Sequence, residues 1–197
     1  PFLALKDILR EYKIPANSAT PLACGAVGYL AYDLKDFIED LPDIARDDLN
    51  LPDCVLGFYD RVVTYDNFKS KAYLSGLSTQ RLAEFKNIIF KKPAIETAEL
   101  SISRPALKSN FSKASYMEAI KKAKFYIKKG DIYQVNLSQR FEAELKIEPH
   151  SLYSRLRKIS PAPFSSYLGF KDVTILSSSP ERFLKKRGRY IETRPIK

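Results

Sequence analysis

At Gly130 the sequence changes period, and that change constrains the fold more than any other feature of the chain. Before it, Tyr116, Ala119, Ile120, Ala123 and Ile127 return to one face of a helix, with Lys121, Lys122, Lys124, Lys128 and Lys129 away from it. Gly130 supplies the stop, and two starts are open: Ser112 as the cap, or Ser115 with Glu118 three residues on as a capping box. After it, Tyr133, Val135, Leu137, Gln139 and Phe141 alternate with Gln134, Asn136, Ser138 and Arg140, the period of two that marks a strand. A short helix from about Ser151 breaks at Ser160-Pro161-Ala162-Pro163. Strands then follow over Phe164 to Phe170, Val173 to Ser178, Arg182 to Lys186 and Arg189 to Arg194, turned at Lys171-Asp172 and Gly188. Helices beside closely turned strands describe an α+β fold rich in antiparallel strands.

The first half reads the same way. Leu3, Ile8, Leu9 and Tyr12 recur at helical spacing before Pro15. Cys24 to Leu34 and Cys54 to Leu77 read as sheet, with Asp66-Asn67 turning a hairpin between 62–65 and 71–74. Ser78 or Thr79 caps a helix carrying Leu82, Phe85, Ile88 and Ile89, which ends before Pro93. Periodicity then disappears from Lys91 to Asn110, which sets expected domains at 1–110 and 111–197.

Composition removes several function classes. Apolar runs are interrupted within about ten residues, against the roughly 20 needed to span a bilayer, and no signal peptide opens the chain, so a soluble, cytoplasmic protein without a membrane role is expected. Cys24 and Cys54 are too few for a disulfide framework in 197 residues. The single histidine, His150, leaves no material for a histidine-based triad or a multi-histidine metal site, and is expected at the surface or capping a helix. The net charge of +10 invites a nucleic-acid reading. The lysines, however, fall on helix faces and on Lys185-Lys186-Arg187, where solvation accounts for them, and no aromatic-and-basic recognition motif accompanies them.

Polar residues gather at strand ends instead. Ser177-Ser178-Ser179-Pro180-Glu181 follows one apolar strand, and Thr193-Arg194-Pro195-Ile196-Lys197 follows another. A carboxylate and an amine on neighbouring strands suit acid/base and nucleophilic roles, although a surface Glu and a Lys at the end of a strand are also commonplace. No nucleotide-binding glycine loop, CxxC pair or GxSxG elbow is present, and Gly25 and Gly28 sit in a strand pattern where packing explains them.

Four segments in order carry a resemblance: Gly130-Asp-Ile-Tyr-Gln-Val-Asn-Leu-Ser-Gln-Arg-Phe141, Pro161-Ala-Pro-Phe164, Ile175-Leu-Ser-Ser-Ser-Pro-Glu-Arg-Phe183 and Thr193-Arg-Pro-Ile-Lys197. They resemble the signature of chorismate-utilising enzymes, the large components of anthranilate synthase and aminodeoxychorismate synthase. Gly25 to Leu34, Leu41-Pro42 and Leu51 to Asp60 look like that family's N-terminal region. The resemblance implies a layered antiparallel β-sandwich with outer helices, here incomplete and with apolar edges exposed. In that family the residue closing the last motif is typically alanine in anthranilate synthases and lysine in the aminodeoxychorismate synthase type, similar to Lys197.

By that resemblance Lys197 is the nucleophile, Glu181 the proton shuttle, and Thr193 a substrate-pocket residue, while Pro163 and Phe164 border a tryptophan pocket. The implied reaction is amination of chorismate to 4-amino-4-deoxychorismate, towards para-aminobenzoate and folate, with ammonia from a glutamine amidotransferase subunit or domain. Mg2+ is the implied cofactor, its ligands expected in a C-terminal half outside these 197 residues, so that the segment alone is expected to be inactive. A lysine with a pKa of about 10.4 must be lowered, by desolvation or nearby positive charge, to attack as a neutral amine; Arg194 is one candidate charge, with a salt-paired surface arginine as the equal alternative. The rival within the family is an anthranilate synthase component; the rival outside it is a basic nucleic-acid-binding module.

Overall fold

The structure, a computed structural model, describes residues 1–11, 20, 22–42, 44, 46–91 and 105–196. It divides into two compact units, residues 1–96 and 97–197. Among the described residues the elements are helices and antiparallel strand pairs, the expected α+β class.

In the first unit, α1 (Phe2–Glu11) is followed by β1 (Gly25–Leu30), a 3-10 turn (Tyr32–Phe37), β2 (Cys54–Tyr59), β3 (Arg61–Asp66), β4 (Lys71–Gly76) and α2 (Thr79–Phe90). The predicted sheet over Cys24 to Leu34 thus stops at Leu30, and Leu34, 6% exposed, is buried from the 3-10 turn. Tyr12 and Pro15 lie outside the described residues.

β1 and β2 pair along their full length, from Gly25 opposite Tyr59 to Leu30 opposite Cys54. Cys24 and Cys54 therefore occupy opposite ends of this ladder, about 20 Å apart at ~3.4 Å per residue, and both are free thiols. At Gly28 the two backbones come close enough to require glycine. A Cβ there would sit 1.8 Å from the Val55 carbonyl oxygen, which confirms strand packing as its role.

The β3–β4 hairpin turns where Asp66 was expected to turn it. The Asp66 carboxylate accepts from the Phe68 and Lys69 backbone N–H groups at 3.0 Å each, the local bonding that makes Asp a turn residue. Ser78 caps α2 by accepting from the Arg81 N–H. The helix is then fastened beside the hairpin: Arg81 binds the Asp60 carboxylate at 2.6 Å, and the Arg61 guanidinium lies 5.4 Å from the Phe85 ring centre. The Arg81 hydrogen bond, against a smaller opposing effect of burial and with the Arg61 and Arg81 charges assisting, holds the Asp60 carboxyl below its ordinary range.

The second unit carries β5 (Lys108–Ser109), α3 (Lys113–Lys129), β6 (Phe141–Glu142), α4 (Pro149–Ile159), β7 (Ser166–Gly169), β8 (Thr174–Ser177), β9 (Arg182–Arg187) and β10 (Tyr190–Arg194). Ser112 is the N-cap of α3: its hydroxyl accepts from the Ser115 N–H while the Ser115 hydroxyl accepts from the Ser112 N–H. The capping box is thus Ser112/Ser115, one step earlier than the Ser115/Glu118 alternative. Gly130 ends the helix at φ 85°, the left-handed conformation for which glycine carries no steric penalty.

The strand expected over Tyr133 to Phe141 forms a ladder only at Phe141, where β6 meets β5. Residues 132–140 have no ladder partner among the described strands. Alternation supplies two usable faces, but a strand also needs a neighbour for its backbone groups, and that neighbour is not encoded in the segment itself. Asn110 provides a local substitute, exchanging backbone and side-chain bonds with Arg140 at 3.1 and 2.8 Å.

α4 begins with Pro149 in its first turn, where the missing N–H has no intrahelical partner to lose. His150 is exposed on that turn, its ring 5.7 Å from the Tyr167 ring. β7 pairs with β8 and β9 with β10, turned at Lys171-Asp172 and Gly188 as expected. In both units many large apolar side chains face outward, Phe90, Tyr133 and Phe183 among them, in keeping with ladders only two strands wide.

Candidate functional site

The candidate residues Glu181, Thr193, Pro163 and Phe164 all belong to the second unit, where two turns and one hairpin bring them to the same end of β9 and β10. Lys197 lies outside the described residues; the chain is described as far as Ile196.

β8 delivers the chain into Ser178-Ser179-Pro180-Glu181, and the proline-rich turn after α4 is stitched to that segment. The Ser178 hydroxyl donates to the Ser160 carbonyl at 2.8 Å, and the Phe164 N–H donates to the Ser179 carbonyl at 3.1 Å. Within the turn, Ser165 bonds the Ala162 carbonyl through both its N–H and its hydroxyl. Proline leaves this turn short of backbone donors, and the serine hydroxyls make up the bonds. Pro163 is exposed and Phe164 half-buried, with the Arg182 guanidinium 5.2 Å from the Phe164 ring centre.

The β9–β10 ladder contains a bulge. Arg187, Lys186 and Lys185 oppose Tyr190, Ile191 and Glu192, but Arg182 opposes Arg194, so Phe183 and Leu184 together face the single residue Thr193. The extra residue changes the phase of β9. Arg182 comes onto the face shared by Glu192 and Arg194; alternation carried one residue back, just outside the ladder, puts Glu181 on the face of Thr193.

On the first face, Glu192 receives two guanidinium groups on one carboxylate oxygen: Arg182 Nη1, and Arg194 Nε at 2.7 Å. Burial pushes the Glu192 carboxyl up, but the Arg182 hydrogen bond and the Arg194, Arg182 and Lys185 charges outweigh it and hold it below the ordinary carboxylate range. Arg194 is therefore paired with Glu192, on a carboxylate oxygen that it shares with Arg182. That is the salt-paired alternative for Arg194, produced by strand alternation plus the bulge.

On the other face, a Glu181 carboxylate oxygen accepts the Ile196 backbone N–H at 3.1 Å, and the Thr193 hydroxyl donates to the Arg182 carbonyl at 3.4 Å. Glu181 and Thr193 are both exposed. The ion pair from Glu181 to Arg182 or Lys185, the ordinary alternative for a carboxylate at a strand end, is not formed among the described residues, because Arg182 faces Glu192. Ser178 and Arg182 stood in the segments the sequence singled out, without the contacts they make, whereas Glu192 was not singled out at all. The signal for Glu192 was its charge alone, and the bulge that brings Arg182 onto its face cannot be read from alternation.

Among the described residues no three His, Cys, Asp or Glu side chains converge to hold a metal ion, and no helix is long and apolar enough to cross a membrane.

The Glu181 carboxylate is thus fixed against the Ile196 backbone, in a region bordered by serine-rich and proline-rich turns that hold the ordered motifs of the sequence. The chain belongs to the family of chorismate binding enzymes, whose pattern matches residues 2–197. It is 34% identical over 182 residues to anthranilate synthase component 1 of Thermus thermophilus, covering 89% of this chain and 39% of that protein. It is 32% identical to aminodeoxychorismate synthase component 1 of Bacillus subtilis, covering 87% and 39%, and 36% identical to the Salmonella typhimurium protein of the same name, covering 90% and 38%. The crystal structure of anthranilate synthase component I from Streptococcus pneumoniae superposes with a TM-score of 0.81 at 26% identity, covering 94% of this chain and 45% of that one. The chain thus spans about two fifths of the length of the curated relatives it matches.

Proposed function

We propose that the full-length protein aminates chorismate to 4-amino-4-deoxychorismate, with ammonia supplied by a glutamine amidotransferase subunit or domain. In this reading Lys197 is the nucleophile and Glu181 the proton shuttle, with Thr193 lining the substrate pocket. The observation that carries it is the bond from the Ile196 N–H to the Glu181 carboxylate at 3.1 Å, which joins the two motifs that end in a carboxylate and in a lysine. Relatives named for both activities match the chain, and a lysine at the close of the last motif is what favours amination of chorismate over formation of anthranilate.

The chemistry balances with these two side chains. The neutral Lys197 nitrogen forms a bond to the chorismate ring as the ring C–OH bond breaks, and the hydroxyl leaves as water with a proton from Glu181. Ammonia then forms its own C–N bond and expels the lysine amine, and the new ammonium returns a proton to the Glu181 carboxylate. Mg2+ is the cofactor the family resemblance implies, and among the described residues no three His, Cys, Asp or Glu side chains form a ligand set for it.

Incubating the full-length protein with chorismate, Mg2+ and ammonia tests the reading: 4-amino-4-deoxychorismate is the expected product. Anthranilate fluorescence without an added lyase would overturn it in favour of the anthranilate synthase reaction. Replacing Lys197 with Ala abolishes product formation if the adduct is real, whereas undiminished turnover sinks the covalent role.

A further inference from the structure

We infer that Arg182 is a positioning residue that locks β9 and β10 in the bulged register and so keeps the Glu181 carboxylate on the Thr193 face. The inference rests on the proposed role of Glu181, and deepens it by naming what holds that carboxylate in place.

The argument turns on the alternative register. If the pairing of Lys185 with Glu192 simply continued, Phe183 would oppose Arg194 and Glu181 would oppose Ile196. Glu181 would then share a face with Glu192 and Arg194, and its carboxylate would compete for the Arg194 guanidinium. Arg182 would point away from both. One slipped residue is enough to convert a site carboxylate into half of a surface ion pair.

Arg182 opposes that slip in two ways. Its guanidinium binds the Glu192 carboxylate, a contact that exists only when Arg182 and Glu192 share a face. It also lies 5.2 Å from the Phe164 ring centre, and Phe164 is tied through its N–H to the Ser179 carbonyl, outside the hairpin altogether. The side chain is well placed to act, since only 22% of Arg182 and 19% of Glu192 are exposed and the pair is shielded from solvent. Thr193 adds a weak third tie through the Arg182 carbonyl.

The test uses the full-length enzyme and follows chorismate loss, so that it does not depend on which product forms. Arg182→Ala should lower kcat by about tenfold to a hundredfold with KM for chorismate within about threefold, and should shift the acid limb of the kcat–pH profile. Arg182→Lys keeps a cation for Glu192 and should recover to within about threefold of wild type. A crystal structure of the Arg182→Ala variant reads the register directly: Phe183 opposite Arg194, with the Glu181 carboxylate turned to that guanidinium, is expected. Position 182 still opposite Arg194, with Glu181 still bonded to Ile196, overturns the lock whether or not the enzyme is active. So does a kcat within about threefold of wild type, or a loss of kcat with an unchanged pH profile. Should Arg182→Ala fail to fold, Phe164→Leu removes only the stacking partner and should lower kcat by about two- to fivefold. An unaltered kcat in that variant overturns the proposal equally. Wild-type enzyme that makes anthranilate, or leaves chorismate untouched, refutes the proposed function and leaves the structural readout of the lock intact.

Discussion

The backbone N–H of Ile196 donates to a carboxylate oxygen of Glu181 at 3.1 Å, across 15 residues of chain. That single bond ties the segment just past β10 to a side chain just before β9. It also gives Glu181 a structural task beside the proposed proton transfer, and the two tasks separate by mutation.

Glu181→Gln keeps an amide oxygen for the Ile196 N–H and loses the exchangeable proton. In the full-length enzyme kcat should fall by about 10²- to 10⁴-fold with little change in KM. Glu181→Ala also loses the acceptor and should raise KM in addition. Steady-state assays on both variants check this, and a Gln variant with wild-type kcat rules out the shuttle.

Glu192 predicts an acid-sensitive contribution to stability. Its folded carboxyl lies below the ordinary value, so the unfolded chain takes up the proton first as pH falls. The stability it contributes is present above about pH 4.3, the ordinary Glu value, and is lost as pH drops through the lower folded value. The Tm difference between wild type and Glu192→Gln should therefore be largest near neutrality and shrink below about pH 4.3. A difference that grows on acidification contradicts the depressed pKa.

Two glycines should respond unequally to the same methyl group. In Gly28→Ala the Cβ meets the Val55 carbonyl oxygen at 1.8 Å, so the β1–β2 ladder must separate, at about 2–3 kcal/mol or more. At Gly130 nothing lies within 4 Å and only the φ of 85° is strained, which costs about 1–2 kcal/mol. Denaturant unfolding of the two variants ranks them, and an equal or reversed order refutes the close approach.

The cap of α3 can be tested by the same measurement. Ser112→Ala removes the acceptor for the Ser115 N–H and should cost about 1 kcal/mol. Glu118→Ala should stay within about 0.5 kcal/mol, since Glu118 takes no part in the cap. Equal losses would restore the Ser115/Glu118 box.

The residues themselves determined everything that depends on neighbours in the chain. The period shift at Gly130, the Asp66 turn, the Ser78 cap and the proline break after α4 were legible because backbone sterics and local hydrogen bonds act over a few residues. The ordered motifs, being covalent strings, also showed which residues to examine as candidates.

What only the tertiary structure decided is which of those residues meet. Tyr133 to Arg140 alternates as a strand should, yet ladder formation depends on a partner that the segment does not contain. Arg194 had two readings in the sequence, a charge beside the lysine or half of a salt pair; one extra residue at Phe183–Leu184 turns Arg182 towards Glu192, and Arg194 closes on the same carboxylate. Alternation fixes faces only within an unbroken register. Where a bulge falls is set by packing across strands, here by Phe164 and Glu192 on either side of Arg182, and no window of sequence around Glu181 contains that information.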